Sequence, residues 1–489
     1  MNDSRKNGPR RPPHTRGPGK GSAGRTGSAG RGPDRGERPA PAGSAGGQHG
    51  SGHDSSGHDS SGLAARRAAA DAIEAVLLNG RPLEEALERL CRGLPDRDRG
   101  FARMLAASAL RRLGSLKAVL AAMMESPLAE RGRRAETLLL IGAAQILLMD
   151  VPDHAAVATT VDLAGEQPAT AGYKGLINAV LRRVAREGAA PFAAAEAAGA
   201  DLPEWLLAGW RRTYGAERAA EAARMLRQEA PLDISVKADP AGWAERLGGR
   251  LLPTGSIRLV EAGSVTALPG FEEGAWWVQD AAAAIPARLL HAAPGMRIAD
   301  LCAAPGGKTA QLAAAGAEVV ALDRSGPRLK RLAQNLARLN LAATVVEADA
   351  TRWEGGPFDA VLIDAPCSST GTLRRHPDVA WTKGPQDVTS LAALQARLLD
   401  HAASLLRPGG VLVYSTCSLE PDEGERQIER LLAQSDAFRR EPVTPGECGL
   451  PAEWLTAAGE VRTLPYHLPD PDMRYAGLDG FFAARLRRV

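Results

Sequence analysis

Cysteine is scarce in this chain and never closely paired. The 489 residues hold five, Cys91, Cys302, Cys367, Cys417 and Cys448, with no CxxC and no two histidines at zinc-finger spacing. An odd count without close pairs does not suggest a disulfide framework; reduced thiols in a reducing compartment fit best. No metal is expected. No apolar run is long enough to span a bilayer: the longest, "LLLIGAAQILLM", is short and contains Gln145. The N-terminus lacks the apolar segment of a signal peptide, so a soluble, cytoplasmic protein with no membrane partner is expected. No oligomerisation repeat occurs either, and a monomer is expected. Charge of one sign is also missing. The net charge is +3, and residues 1–62 carry ten Lys/Arg against five Asp/Glu, which leaves 50 against 52 for the remainder. The body is therefore not a basic protein, and a nucleic-acid site in it must be a local patch.

Large apolar side chains are almost absent from residues 1–62, which are Gly, Ser, Pro and Arg and end in "SGHDSSGHDSSG". Such a segment buries too little surface to offset its ordering entropy and is expected to be disordered. From Leu63 to about residue 188 the apolar residues fall at helical spacing with no strand between them, as in "LAARRAAADAIEAVLLNG", which stops at Gly80. An all-α domain is expected over 63–188. An Ala/Gly-rich linker at 188–201 leads to a small α+β connector, 200–275, whose short strands are "PLDISVKAD", "SIRLVE" and "GAWWVQD". Trp276 and Trp277 there either pack in the connector's core or stack on a base. Over 276–489, apolar runs alternate with amphipathic helical patterns: "MRIADLC", "AEVVALD", "ATVVEAD", "FDAVLIDAP" and "GGVLVYSTC", with "DGFFAARLRRV" as a last strand. This predicts a Rossmann-like α/β domain built on a parallel sheet covered on both faces, with ligands bound off the carboxyl ends of its strands.

The first of these strands runs into "CAAPGGKT", Cys302 to Thr309. Gly306 and Gly307 permit close backbone approach to a ligand at a helix start. A Walker A loop needs glycine five residues before Gly307, where Cys302 stands, and no G-x-G-x-x-G occurs. Both absences weigh against ATP and NAD. Asp323, Asp349 and Asp364 end three successive strands. One such acid is ordinarily a helix cap; three on one rim beside a glycine turn favour a nucleoside, whose ribose hydroxyls an acid can hold. S-adenosylmethionine fits, having a nucleoside but no phosphate.

Two thiols lie at the same rim, Cys367 in "DAPCSSTG" and Cys417 in "STCSLEP". A buried cysteine is usually a small hydrophobe, but two at strand ends beside a methyl donor suit one chemistry well. Cytosine C5 is a poor nucleophile. A thiolate added to C6 makes C5 enamine-like and able to accept a methyl group, after which a base removes the C5 proton and the thiol leaves. A carboxyl near N3 and N4 can hold the base and help proton transfer. Residue type alone leaves open which thiol attacks. A zinc site from Cys302, Cys367 and Cys417 lacks the close-spaced ligand pairs of structural zinc.

The segments "DLCAAPGGKT", "DAPCSSTGTLRRHPDVAW", "YSTCSLEPDEGE" and "DGFFAARL" resemble, in order, the signatures of the RNA cytosine-C5 methyltransferases of the RsmB/Sun, Nop2 and NSUN group. The likeness covers roughly 230–489. It implies a class I S-adenosylmethionine methyltransferase in which Cys417 attacks and Cys367 assists adduct breakdown and release. It also implies that Cys302, Ala303, Ala304, Pro305, Gly306, Gly307, Lys308, Asp323, Asp349 and Asp364 line the cofactor pocket, Asp364 also touching the cytosine. The helical region, through "LLLIGAAQILLMDVPDHAAVATTVDLA" and "GLINAVLRR", is similar to the NusB-like RNA-binding domain of RsmB-type enzymes, which implies small-subunit (16S) rRNA as partner. The connector departs from the family pattern at Ser235 and Lys237, which puts local RNA contacts there in doubt. Two rival functions remain at this stage. A non-enzymatic RNA-binding or antitermination protein would not need Cys417. A DNA cytosine-C5 methyltransferase would attack with Cys367.

Overall fold

The computed structural model describes residues 56–260 and 262–489; the disorder expected for the N-terminal segment lies, up to residue 55, outside them. The first helix, Ser56–Asn79, starts earlier than composition suggests, because each residue added to an existing helix gains a hydrogen bond for little further cost. It ends at Gly80, whose φ of 62° and N–H bond to the Val76 carbonyl close the last turn. Helices follow through Lys174–Glu187 and bury a core of Ile73, Leu105, Leu110, Leu139 and Leu181. The expected linker at 188–201 is instead largely a helix, Ala189–Ala197, lying on helix Leu113–Met123. Alanine is the strongest helix former, and a run of it outweighs the bracketing glycines.

Four short strands, β1 (Leu232–Val236), β2 (Arg250–Leu251), β3 (Ile257–Leu259) and β4 (Trp276–Val278), form an antiparallel sheet in the order β2-β3-β1-β4. Trp276 is fully buried in its core and donates to the Pro269 carbonyl at 2.8 Å. Trp277 is buried too, its N–H on Gln279 Oε1 at 2.8 Å. Trp276 thus packs in the connector's core, while Trp277 packs with one edge on the cavity at the end of the large sheet. Ser235 is buried, and Lys237 donates to the Leu339 carbonyl at 2.9 Å, capping the helix that ends there.

The large sheet comprises β5 (Arg297–Leu301), β6 (Glu318–Asp323), β7 (Thr344–Glu347), β8 (Phe358–Asp364), β9 (Leu406–Thr416), β10 (Phe438–Arg440), β11 (Val461–Thr463) and β12 (Phe481–Arg488). Its order is β10-β12-β9-β8-β5-β6-β7, with β11 also on β12. Strands β5 to β9 are parallel, while β12 runs antiparallel to β9. Alternate residues supply two cores. Ile298, Leu362 and Val413 face one side, and Ala299, Val361 and Leu412 the other. Both faces are covered, which explains the near-continuous apolar runs. The chain passes from β5 to β6 and β7 on one side, then returns through β8 to the other. The strand order therefore reverses between β5 and β8, and the ends of these strands flank the ligand crevice.

The helical region and the large sheet belong to one compact unit, Ser55–Val489. The segment after Cys367 joins them. Asp378 accepts from Leu83 N–H at 3.1 Å, Trp381 Nε1 donates to the Leu110 carbonyl at 2.8 Å, and Arg111 donates to the Arg374 carbonyl at 2.9 Å. No helix among the described residues is long and apolar enough to cross a membrane.

Candidate active site

A cavity of about 510 Å³ opens where β5 and β8 end. The turn after β5 forms one wall. Gly306 has a φ of 102°, and a Cβ there would lie 2.9 Å from Leu332 Cγ. Only glycine suits both conditions. Gly306→Ala is therefore expected to lower stability by roughly 1–3 kcal/mol and to weaken cofactor binding. Gly307→Ala, whose Cβ meets nothing closer than 3.5 Å, is expected to keep its stability. Thermal melting with and without S-adenosylmethionine reads both effects.

Ala303, Pro305, Gly306, Gly307, Lys308, Asp364 and Cys417 all line this cavity. Asp323, at the end of β6, is buried beside it and accepts from Ser325 N–H at 3.0 Å and Ala304 N–H at 3.3 Å. The Arg328 guanidinium covers it at 3.1 Å and also donates to the Ala304 carbonyl. Asp349, past β7, is exposed; it accepts from the Thr351 N–H at 3.0 Å and hydroxyl at 2.8 Å, bonds that lower its pKa. Cys302 is held at a φ of 62° under the turn. Burial, then the charges of Asp323 and Asp364, pushes its thiol up to about 12, so it stays protonated at neutral pH. Among the described residues the three thiols of Cys302, Cys367 and Cys417 do not gather into one cluster.

Lys308 is almost fully buried and donates to Asp364 Oδ2 at 2.7 Å, with its ammonium 4.9 Å from the Phe481 ring centroid. Ser415, two residues before Cys417, donates to Asp364 Oδ1 at 3.3 Å. The carboxylate is thus fixed between the start of helix Gly307–Ala314 and the end of β9. The two thiols touch: Cys367 Sγ lies 3.3 Å from Cys417 Sγ, and Ser369 Oγ is 3.5 Å from the latter. This follows from the register, in which Asp364 pairs with Ser415, so the chains leave β8 and β9 side by side. Cys417 faces the cavity, while Cys367 sits behind it and is absent from the lining. The hydrogen bond with Cys417, then burial, raises the Cys367 pKa well above the ordinary thiol range.

Several lining residues escaped sequence reasoning. Asp300 is fully buried, takes the Thr309 hydroxyl at 2.6 Å on one oxygen and has no partner for the other. Burial pushes it up to about 7. Asp479 behaves similarly: burial, helped by the Asp280 charge, raises it to about 7, with one oxygen unpartnered and the other taking Arg375 at 3.1 Å. Arg375 also reaches Asp280 at 2.7 Å, and His376 completes that wall. All of these lie inside or beside the quoted motifs, but their convergence depends on contacts between distant segments.

A turn that admits no Cβ at Gly306, a buried orphan oxygen on Asp300 in the cavity lining and an acid at the next strand end together suit a nucleoside with a cationic tail. The family model described as 16S rRNA methyltransferase RsmB/F matches residues 287–487, and that of the NusB family matches 63–186. Ribosomal RNA small subunit methyltransferase B of Vibrio vulnificus (strain YJ016) is 38% identical over 411 residues, covering 79% of this chain and 96% of that protein. The protein of the same name from Pseudomonas syringae pv. tomato is 36% identical over 449 residues, 87% of this chain and 97% of that one. Among solved structures, one described as PH0851 superposes with a TM-score of 0.66 at 22% identity, covering 86% of this chain and 98% of the other, a likeness of fold.

Proposed function

The chain belongs to the RsmB/F family of 16S rRNA methyltransferases, and from that premise we propose that it methylates C5 of a cytosine in small-subunit rRNA through a covalent bond from Cys417 to C6. At the coarser level it is an S-adenosylmethionine-dependent rRNA methyltransferase. The observation that carries the finer reading is the pair of thiols in contact, one of them on the cavity wall that also bears Lys308 and Asp364.

S-adenosylmethionine supplies an electrophilic methyl group. The residues that would hold it are the main chain of Cys302 to Lys308, with Asp323, Asp349 and Asp364. Asp323 is masked by Arg328, so that side chain shifts if Asp323 takes the ribose. The target cytosine must leave its stack to enter the cavity. Asp364, held by Lys308 and Ser415, faces its N3 and N4 edge and keeps the ring in register. Cys417, as thiolate, then attacks C6: a sulfur–carbon bond forms and the C5–C6 double-bond pair moves to C5, which would take up the methyl group as its bond to the sulfonium sulfur breaks and leaves the electron pair on that sulfur. A base removes the C5 proton, the electron pair restores the double bond, and the sulfur–carbon bond breaks to return the Cys417 thiolate. Cys367, as a thiol at 3.3 Å, is placed to give a hydrogen bond to the departing sulfur and so favours release. The NusB-like helices supply an RNA-docking surface. The connections of Asp378 and Trp381 to those helices tie that surface to the segment leaving Cys367.

Quantitative mapping of 5-methylcytosine in rRNA from cells with and without the gene tests the substrate. One 16S position is expected to fall from near-complete methylation to background. If no rRNA position changes, the substrate reading is wrong.

A further inference from the structure

Between the two thiol loops lies a carboxylate that the reaction as described does not use. Glu423 is fully buried, in the short turn Pro421–Glu423 that follows the Cys417 loop. Its oxygens accept from the Ser368 backbone N–H at 2.9 and 3.2 Å, from the Ser368 hydroxyl, and from Gln395 Nε2 at 3.1 Å. Ser368 is the residue after Cys367. The Glu423 carbonyl in turn accepts from the Tyr414 hydroxyl at 2.8 Å and the Thr416 hydroxyl at 3.1 Å. Thr416 is the residue before Cys417. One residue therefore grips the loop of each thiol, and Ser368 Oγ to Ser418 Oγ, 3.2 Å, adds a second tie between the loops.

We propose that Glu423 is a positioning residue that holds the two thiols in contact and keeps Cys367 protonated, so that Cys367 acts as a hydrogen-bond donor to the Cys417 sulfur. The physical basis is twofold. Three donor groups, one of them reaching both oxygens, fix the carboxylate, and a residue that buried cannot move without dragging both loops. Its charge, close to Cys367 in a medium of low polarity, also opposes a second negative charge there. The direction agrees with the raised pKa of Cys367, to which the Cys417 hydrogen bond, burial, the Cys417 charge and the Glu423 charge contribute in that order. Tyr414, Glu420, Arg430 and Arg462 lie on the Glu423 side of the pair, and Lys308, Asp364 and His376 line the cavity that Cys417 faces. Arg462 is committed to Glu425 at 2.7 Å and to the Ser418 carbonyl at 2.6 Å. It therefore offsets Glu425 rather than Glu423. Thiols that were both free to ionise would repel at 3.3 Å, and neither would be a fixed donor. A neutral Cys367 avoids this and leaves the cavity-facing Cys417 as the thiol that attacks.

The inference rests on the reading of Cys417 and Cys367 as a working pair, and its test needs no RNA, so that failure of either is separable. In full-length protein carrying Cys417→Ser, alkylation of Cys367 by iodoacetamide is followed against pH by mass spectrometry. Adding Glu423→Gln is expected to move the onset of alkylation down by about one pH unit, roughly a tenfold faster reaction at a fixed lower pH. Glu423→Asp, which keeps the charge, is expected to restore most of the original profile. Ser368→Ala removes a donor to Glu423 and is expected to move the onset the other way, which keeps the idea testable if Glu423→Gln folds poorly. In otherwise wild-type enzyme, Glu423→Gln is expected to lower kcat with KM for RNA little changed. A Cys367 profile that ignores the charge at Glu423, or that moves in the same direction for Glu423→Gln and Ser368→Ala, overturns the proposal.

Discussion

Cys417→Ala is expected to abolish methyl transfer to RNA, by on the order of 10⁴-fold or more, because it removes the proposed nucleophile rather than tuning it. Without a sulfur–carbon bond at C6, C5 has no enamine character and the donor's methyl group meets a poor nucleophile. The substitution should leave the fold and the cofactor site intact. Cys417 is half-buried at a cavity wall, its backbone carbonyl accepts from Gly371 N–H at 3.0 Å, and alanine keeps that bond. Binding of S-adenosylmethionine, measured by calorimetry, is therefore expected to match the unmodified enzyme while turnover of methyl-labelled donor falls to background. Full activity in Cys417→Ala would remove the proposed attack altogether.

The second large effect is of the opposite kind. Cys367→Ala is expected to let the reaction start and not finish. Cys417 still faces the cavity and can still add to C6, but the donor 3.3 Å from its sulfur is gone. Expulsion of Cys417 then proceeds without a hydrogen bond to the leaving sulfur, and protein–RNA adduct accumulates. On denaturing gels a large share of the enzyme is expected to migrate with bound RNA, against a trace for the wild type, and multiple turnover is expected to fall steeply. The two variants thus separate attack from release. Interchanged behaviour, with Cys417→Ala trapping nucleic acid and Cys367→Ala inert, would instead fit a DNA-type enzyme that attacks from the other loop.

The strands that build the site were legible because each is an apolar run ending in a chemically distinctive loop. Asp323 ends one such run, and Cys302, Asp364 and Cys417 lie at the ends of the others. Burial on both faces of a parallel sheet makes such strands readable without long-range information. Helix Ala189–Ala197 reads as a linker from its bracketing glycines, although its alanine run favours a helix and contact with helix Leu113–Met123 adds to that preference. The wall of Arg375, Asp280 and Asp479 was hidden for another reason. Its members come from three segments brought together by β12 returning antiparallel beside β9, and nothing local marks an ion pair that spans about a hundred residues. Glu423 shows the same limit more sharply. It stands within the quoted "YSTCSLEPDEGE", yet its grip on the Ser368 N–H appears only when β8 and β9 lie side by side.

The most direct test of the account is to isolate the RNA adduct of Cys367→Ala, digest protein and RNA, and identify the cross-linked peptide by mass spectrometry. The account predicts one modified peptide, carrying a methylated cytidine on the sulfur of Cys417. A nucleotide attached to any other residue, or no adduct under conditions where the wild type turns over, would contradict it.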